Sequence, residues 1–230
     1  MITHYPDLLQ GSSEWLNARC GLLTASEMKE IITPSTLAPK SKKNPDELIE
    51  HAWELLSQRI TGYVEPQYIS DDMLRGKVDE LEARMLYSQH YAPVTDMGFI
   101  VNDTWGFKIG YSPDGLVGDD GLIECKSRRQ KFQVETIISG EMPDDYRIQV
   151  QTGMLVTGRA WCDFVSYSAG LPMFVKRVFA DADIQAKIIE AATVFEAKVA
   201  AKLAQYKPAA AIFIPTERKA TDDLIEGETV

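Results

Sequence analysis

Apolar positions repeat with the helical period in several stretches of the chain. Over 46–60 they place Leu48, Ala52, Leu55, Leu56 and Ile60 on one face, with His51 and Glu54 turned to solvent and Thr61-Gly62 as a stop. Over 71–91 the set Val78, Leu81, Met85 and Leu86 predicts a buried face, with Glu80 beside it. Over 144–157 Ile148, Leu155 and either Gln151 or Met154 turn inward, and Gln149 lies near the edge of that face. The Ala-rich stretch 181–206 carries the longest stripe: Ile184, Ile188, Ala191 or Ala192, Phe195 and Val199. Near the N-terminus, Ser12-Ser13-Glu14-Trp15-Leu16 reads as a helix start and Arg19-Cys20-Gly21 as its end. An extended run from Leu22 then enters another helix, capped by Thr24 or Ser26.

Shorter apolar runs read as strands. Those at 94–101, 105–111 and 122–125 are separated by Asn-Asp, Pro-Asp-Gly and Gly-Asp-Asp-Gly turns, the connection lengths of an antiparallel meander. Two more, at 161–168 and 173–179, are apolar enough to be central. The segment 33–44, rich in Pro, Ser and Lys, reads as a loop. Strands interleaved with helices predict an α/β fold with a mixed central sheet flanked by helices. One domain over 1–230 is expected, with a frayed acidic tail from about 217.

One stretch, 106–129, concentrates the chemistry. Ser112-Pro113-Asp114-Gly115 is a tight turn, since Pro pre-sets φ and Gly tolerates the exit, so Asp114 sits on a rigid corner. Leu122-Ile123-Glu124-Cys125-Lys126 follows as a strand, where alternation puts Glu124 and Lys126 on one side and Cys125 on the other. Two carboxylates and an ammonium then converge, a set suited to divalent-metal hydrolysis of a phosphodiester. Singly, such a turn is most often a hairpin corner and a Glu-x-Lys pair a solvated face. Here the charges end a buried-looking strand, which favours a purpose for them. Glu80 is either one more solvated acid or a third member of the group; the helical pattern admits both.

Competing chemistries lack their residues. His4, His51 and His90 stand in no ligand spacing, and neither a G-x-S-x-G elbow, a G-x-G-x-x-G turn nor a Walker loop occurs. Cys20, Cys125 and Cys162 form no paired framework and are expected as reduced thiols. A formal charge of −10 argues against indiscriminate nucleic-acid binding. Basic residues nevertheless cluster at Lys40, Lys42 and Lys43, and again at Lys126, Arg128, Arg129 and Lys131 directly after the carboxylate strand. The second cluster reads as a DNA-facing wall or as a solvated turn. Arg19 and Ser26, beside the start of the second helix, would make a phosphate site, although ordinary capping explains most such starts. No apolar run of about 18 residues or leading signal is found, which predicts a cytoplasmic protein without a membrane span.

Five segments, in order, carry a family resemblance: Arg19 to Glu27, Gly76-Lys77-Val78-Asp79-Glu80, Ser112-Pro113-Asp114-Gly115-Leu116, Leu122-Ile123-Glu124-Cys125-Lys126 and Gln149-Val150-Gln151. They resemble the motifs of phage lambda exonuclease-type, YqaJ-like viral recombinase nucleases of the restriction-endonuclease-like PD-(D/E)-x-K superfamily. The resemblance implies that Asp114, Glu124 and the carbonyl of Cys125 bind metal, and that Glu80 helps hold a second ion or the lysine. Lys126 would position and activate water, and Gln149 would orient the site. Arg19, Ser26 and Ser112 match positions that bind a 5′-terminal phosphate, and Met73 matches an apolar wedge at the duplex end. A second phosphate-binding arginine of the family has no match in 33–44, where only lysines stand.

The implied activity is Mg²⁺-dependent 5′-to-3′ degradation of one strand of linear duplex DNA, leaving 3′ overhangs for recombination. Two ions are implied, with Mn²⁺ as the substitute. A homotrimeric ring around the DNA and a single-strand annealing partner are implied as well. The rival readings are an endonuclease with the same site and a non-catalytic DNA-binding or assembly module.

Overall fold

A computed structural model of the chain describes residues 1–44, 47–66 and 70–218. Strand β1 (Ile2–Tyr5) opens the chain, followed by α1 (Ser13–Arg19), β2 (Leu23–Thr24), α2 (Met28–Ile31), β3 (Ile32–Thr33) and β4 (Ala38–Pro39). Helices α3 (Glu50–Thr61) and α4 (Asp71–His90) lead into β5 (Phe99–Asn102), β6 (Ile109–Tyr111), β7 (Gly115–Val117) and β8 (Gly121–Ser127). Then come α5 (Gln130–Ser139), α6 (Arg147–Thr157), β9 (Trp161–Tyr167), β10 (Phe174–Phe179) and α7 (Ala182–Ala210).

The strands form two four-stranded mixed sheets, ordered β1-β5-β6-β2 and β10-β9-β8-β7, and a small hairpin of β3 with β4. The expected meander therefore breaks after β6. β5 pairs antiparallel with β6 in the first sheet, and β7 with β8 in the second. The Ser112-Pro113-Asp114 turn is the passage between them, so the candidate chemistry lies where the sheets adjoin. β8 runs parallel to β9 along its full length, which requires a crossover, and α5 with α6 supplies it. Among the described residues β10 pairs only with β9 and is an edge strand, contrary to the expectation that it is central. β1 and α5 were not predicted, and the expected loop at 33–44 contains the β3–β4 hairpin.

Both faces of the second sheet are covered. One side joins the main core, where Leu122 and Phe164 meet Ile148 and Met154 of α6 and Ile188, Phe195 and Val199 of α7. The stripe expected on α7 is thus buried, with Ile184 only half so. Beneath α4 a second cluster packs Ala83 and Tyr87 against Ile123, Cys125 and Val165.

That packing reverses the expected orientation of α4. Its buried positions are Asp79, Ala83 and Tyr87, whereas Val78 and Leu81 are 67% and 65% exposed and Met85 faces outward. Polar anchors fix the choice. The Tyr87 hydroxyl donates to Asp163 at 2.6 Å, and Arg177 donates to the same carboxylate at 2.8 and 2.9 Å. The Ser127 hydroxyl donates to Asp79. Small Ala83 lets the helix approach, and these buried bonds outweigh the outward placement of aliphatic side chains.

Three local expectations also change. His51 is buried, stacked on Phe195 at 6.0 Å and bonded to Glu54, instead of facing solvent. Neither Thr24 nor Ser26 caps α2; Glu27 occupies the cap position without a side-chain bond to the helix and accepts from the Thr24 N–H and hydroxyl. The helix expected from 46 begins at Glu50, and position 46 lies outside the described residues. Beyond Arg218 the expected tail also lies outside them.

Candidate active site

β6 ends at Tyr111, the turn carries Ser112 and Asp114, and β8 brings Glu124 and Lys126 alongside. The Cys125 backbone N–H donates to Asp114 Oδ2 at 2.6 Å, which pins the turn against β8. The Cys125 thiol lies on the opposite face in the cluster under α4, as strand alternation requires.

Glu124 is 1% exposed, and both its oxygens are engaged. Oε1 accepts from Lys126 Nζ at 2.6 Å and from the amide of Gln149 on α6; Oε2 accepts from the Tyr111 hydroxyl at 2.8 Å. Glu80, half-buried on α4, joins through charge. Burial, reinforced by Glu124, lifts its carboxyl above the usual range against the pull of Arg84, Lys126 and Lys77. For Asp114, burial and the charges of Glu124 and Glu80 lift the carboxyl well above that range, opposed by Lys126 and the Cys125 N–H. Burial disfavours the Lys126 ammonium, but Glu124 and Asp114 overcome it and raise its pKa. Tyr111 is pushed well above its ordinary value by burial and by Glu124, so its hydroxyl keeps the proton it donates.

The sequence-predicted group Asp114, Glu124, Lys126, Glu80 and Gln149 is therefore one electrostatic unit drawn from β8, two helices and a turn. Among the described residues no three His, Cys, Asp or Glu side chains are already arranged to hold an ion. Glu124 is turned to Lys126, Gln149 and Tyr111, and Asp114 to the backbone of β8. The donor set nevertheless fits a hard divalent cation: the side-chain ligands are carboxylates, and the mutual repulsion of Asp114, Glu80 and Glu124 is what such a charge would relieve.

A second group adjoins the first through Ser112, two positions before Asp114. Arg19 lies at the end of α1 with its guanidinium 4.3 Å from the ring of Trp15 and 5.9 Å from that of Phe99. It donates to the Ser112 hydroxyl at 3.5 Å and to the Thr24 hydroxyl at 3.2 Å, and the Trp15 indole N–H donates to Ser112 at 2.8 Å. Ser26, exposed, reaches the group through Thr24 at 3.3 Å. Arg19, Ser26 and Ser112 are thus brought together as expected. Trp15 and Tyr111 were not anticipated, although Trp15 is four residues before Arg19 and so shares its helix face.

Met73, in the first turn of α4, is 48% exposed and lines an open cleft of about 340 Å³ with Arg75, Arg128, Arg129, Phe132 and Tyr146. Arg128 donates to the Tyr146 hydroxyl at 2.8 Å and stacks on Phe132 at 5.1 Å. The other two members of the basic cluster have partners of their own. Arg129 is held by Asp72 at 2.6 Å, and Lys131 lies over the Phe132 ring at 4.7 Å, outside the cleft lining.

The YqaJ-like viral recombinase domain matches residues 14–160. The chain belongs to that family. The matched stretch of this YqaJ-like domain runs from α1 through α6, and so includes every site residue named above. Its fold is shared with the alkaline exonuclease LHK-Exo of Laribacter hongkongensis, at 36% identity and a TM-score of 0.75 over 87% of this chain and 98% of that one. The complex of LHK-Exo with dAMP gives 35% and 0.70 over the same shares. A phage-related exonuclease from Haemophilus somnus 129PT, 15% identical with a TM-score of 0.57 over 81% of this chain and 96% of that one, shares the fold. No curated protein matches the chain. The family read from the five motifs, and the mixed α/β fold, are both borne out.

Proposed function

We propose that this YqaJ-like domain is a divalent-metal-dependent exonuclease that degrades one strand of linear duplex DNA from its 5′ end, leaving 3′ overhangs for recombination. The observation that carries this reading is the shared turn. Ser112 belongs to the Arg19 group and Asp114 to the carboxylate group, so a terminal phosphate held by Arg19, Ser112 and Ser26 would lie close to the carboxylates. That proximity supports action at 5′ ends: the group that would recognise the end is built into the strand connection that would carry the chemistry. The likeness to LHK-Exo, an alkaline exonuclease, supports the same reading.

Asp114, Glu124 and the Cys125 carbonyl would hold the ion, with Glu80 beside them for a second. When bound, Mg²⁺ or Mn²⁺ supplies Lewis-acid stabilisation of phosphate charge and a lowered water pKa. Lys126, kept charged by Glu124 and Asp114, serves as a donor: it orients the attacking water and offsets charge on the scissile phosphate. Gln149 holds Glu124 from the α6 side. Arg19, stacked on Trp15, presents a fixed guanidinium to the terminal phosphate. Met73 and Arg128 line the cleft where the duplex end would be parted.

A homotrimeric ring around the DNA and a single-strand annealing partner belong to the same reading. The outward apolar face of α4, with Leu74, Val78, Leu81 and Met85, supports a protein contact there. No helix among the described residues is long and apolar enough to cross a membrane. A cytoplasmic location is part of the same reading, since a DNA-processing nuclease fits it.

Incubation of linear and covalently closed duplex with Mg²⁺ tests the assignment. Digestion of the linear form alone is expected, with 5′-end label released first. Cutting of the closed circle identifies an endonuclease, and no digestion of either identifies a non-catalytic module.

A further inference from the structure

Among the described residues, the Tyr111 hydroxyl is the one donor to Glu124 that comes from inside the protein. Tyr111 is 2% exposed at the end of β6, and Glu124 Oε2, 2.8 Å away, is the partner that satisfies its hydroxyl. The other two donors, Lys126 and Gln149, are half-buried and both reach Oε1. Three donors on two oxygens fix the plane of the carboxylate and also its sense. Oε2 is drawn into the core, and Oε1 is left as the oxygen on the side of Lys126 and Gln149.

The ring of Tyr111 is itself held. It lies against Gly153 of α6, one helical turn after Gln149, and a Cβ at that position would fall 2.8 Å from the ring. A larger residue would displace the hydroxyl from Glu124. The α6 helix therefore acts on Glu124 twice, directly through Gln149 and indirectly through the seat that Gly153 makes for Tyr111.

We propose that Tyr111 is a positioning residue for the metal site: its hydroxyl orients Glu124 so that Oε1 is presented for ion binding. The proposal rests on the metal-site reading above. A phenol buried on a metal-binding carboxylate does for the ligand what a hydrogen-bonding partner behind a metal-bound side chain generally does, and loss of such a partner costs about 10- to 100-fold in metal affinity.

The test is Mn²⁺ binding to the full chain by isothermal titration calorimetry, with Tyr111→Phe, which keeps the ring and removes the hydroxyl. Affinity about 10-fold weaker or more, with unchanged circular dichroism, is expected, and hydrolysis should recover as Mn²⁺ is raised. Gly153→Ala, which moves the hydroxyl without removing it, should weaken binding in the same direction. A purely structural role would lower the melting temperature and leave Mn²⁺ affinity unchanged. Wild-type affinity in a folded Tyr111→Phe protein overturns the proposal, as does failure of both variants to fold, which would assign Tyr111 to the core alone. A wild-type protein that binds no Mn²⁺ instead overturns the metal-site reading, so the two failures are distinct.

Discussion

The Trp15 indole N–H donates to the Ser112 hydroxyl at 2.8 Å, joining residues 97 positions apart in the chain. Arg19 donates to that hydroxyl as well, and its guanidinium stacks on the Trp15 ring. A helix near the N-terminus and a turn between two sheets thereby share one polar corner, two residues from Asp114. Arg19→Ala should slow digestion of 5′-phosphorylated ends by about 10- to 100-fold, the range for a charge-assisted contact, and spare ends that lack the phosphate. Equal slowing on both end types, in a single-turnover assay, would remove Arg19 from terminal-phosphate recognition. Trp15→Phe, which keeps a ring under Arg19 but loses the indole donor, should show a smaller loss with the same selectivity.

Lys126→Ala should abolish turnover while DNA binding persists. Its ammonium is the positive charge bonded to Glu124, and loss of such a donor at a reacting centre costs about 10²- to 10⁴-fold. Rates from end-labelled duplex, with affinity from anisotropy in Ca²⁺, separate the two effects. Turnover near wild type would exclude Lys126 from the reaction.

The carboxylates make metal-free stability depend on pH. Asp114 and Glu80 have carboxyls raised by burial and like charge, so the folded protein holds their protons more tightly than the unfolded chain does. Between the ordinary carboxyl value of about 4 and the raised native one, folding takes up protons, and stability falls as pH rises through that window. Asp114→Asn removes the charge and keeps an oxygen to accept the Cys125 N–H. Without metal it should melt higher than wild type at pH 8, by about 2–4 °C for each kcal/mol released, with the gap closing near pH 4. A lower melting temperature at pH 8 would show that Asp114 is net stabilising as an anion.

The exposed face of α4 predicts assembly. Val78→Glu with Leu81→Glu places charges where the side chains are 67% and 65% exposed, so the fold should survive. If the proposed ring forms through this face, sedimentation should shift from an oligomer to a monomer. An unchanged oligomer with both charges present would locate the contact elsewhere.

Much of the site could be read directly from the sequence. Alternation along Leu122-Ile123-Glu124-Cys125-Lys126 places Glu124 with Lys126 and Cys125 opposite, because strand periodicity is a local property of the backbone. The stripe on α7 was equally readable, since one face of a long helix can satisfy its apolar positions against one core. The same reasoning failed on α4. There the apolar residues Val78, Leu81 and Met85 point outward, and the buried face is chosen by partners distant in sequence: Asp163 for Tyr87 and Ser127 for Asp79. His51 was misplaced for a related reason, because the ring of Phe195 that covers it comes from α7.

The sequence by itself determined the candidates for the chemistry, the turn at Asp114 and the strand with Glu124 and Lys126, and the order of motifs that marks the family. These follow from local backbone preferences and residue type. Only the tertiary structure decided how they are joined. It split the expected meander into two sheets so that the Asp114 turn bridges them. It brought Trp15 and Arg19 to Ser112, and set Tyr111 behind Glu124 on a seat made by Gly153. Those contacts depend on packing between elements far apart in the chain, and no periodicity along the sequence encodes them.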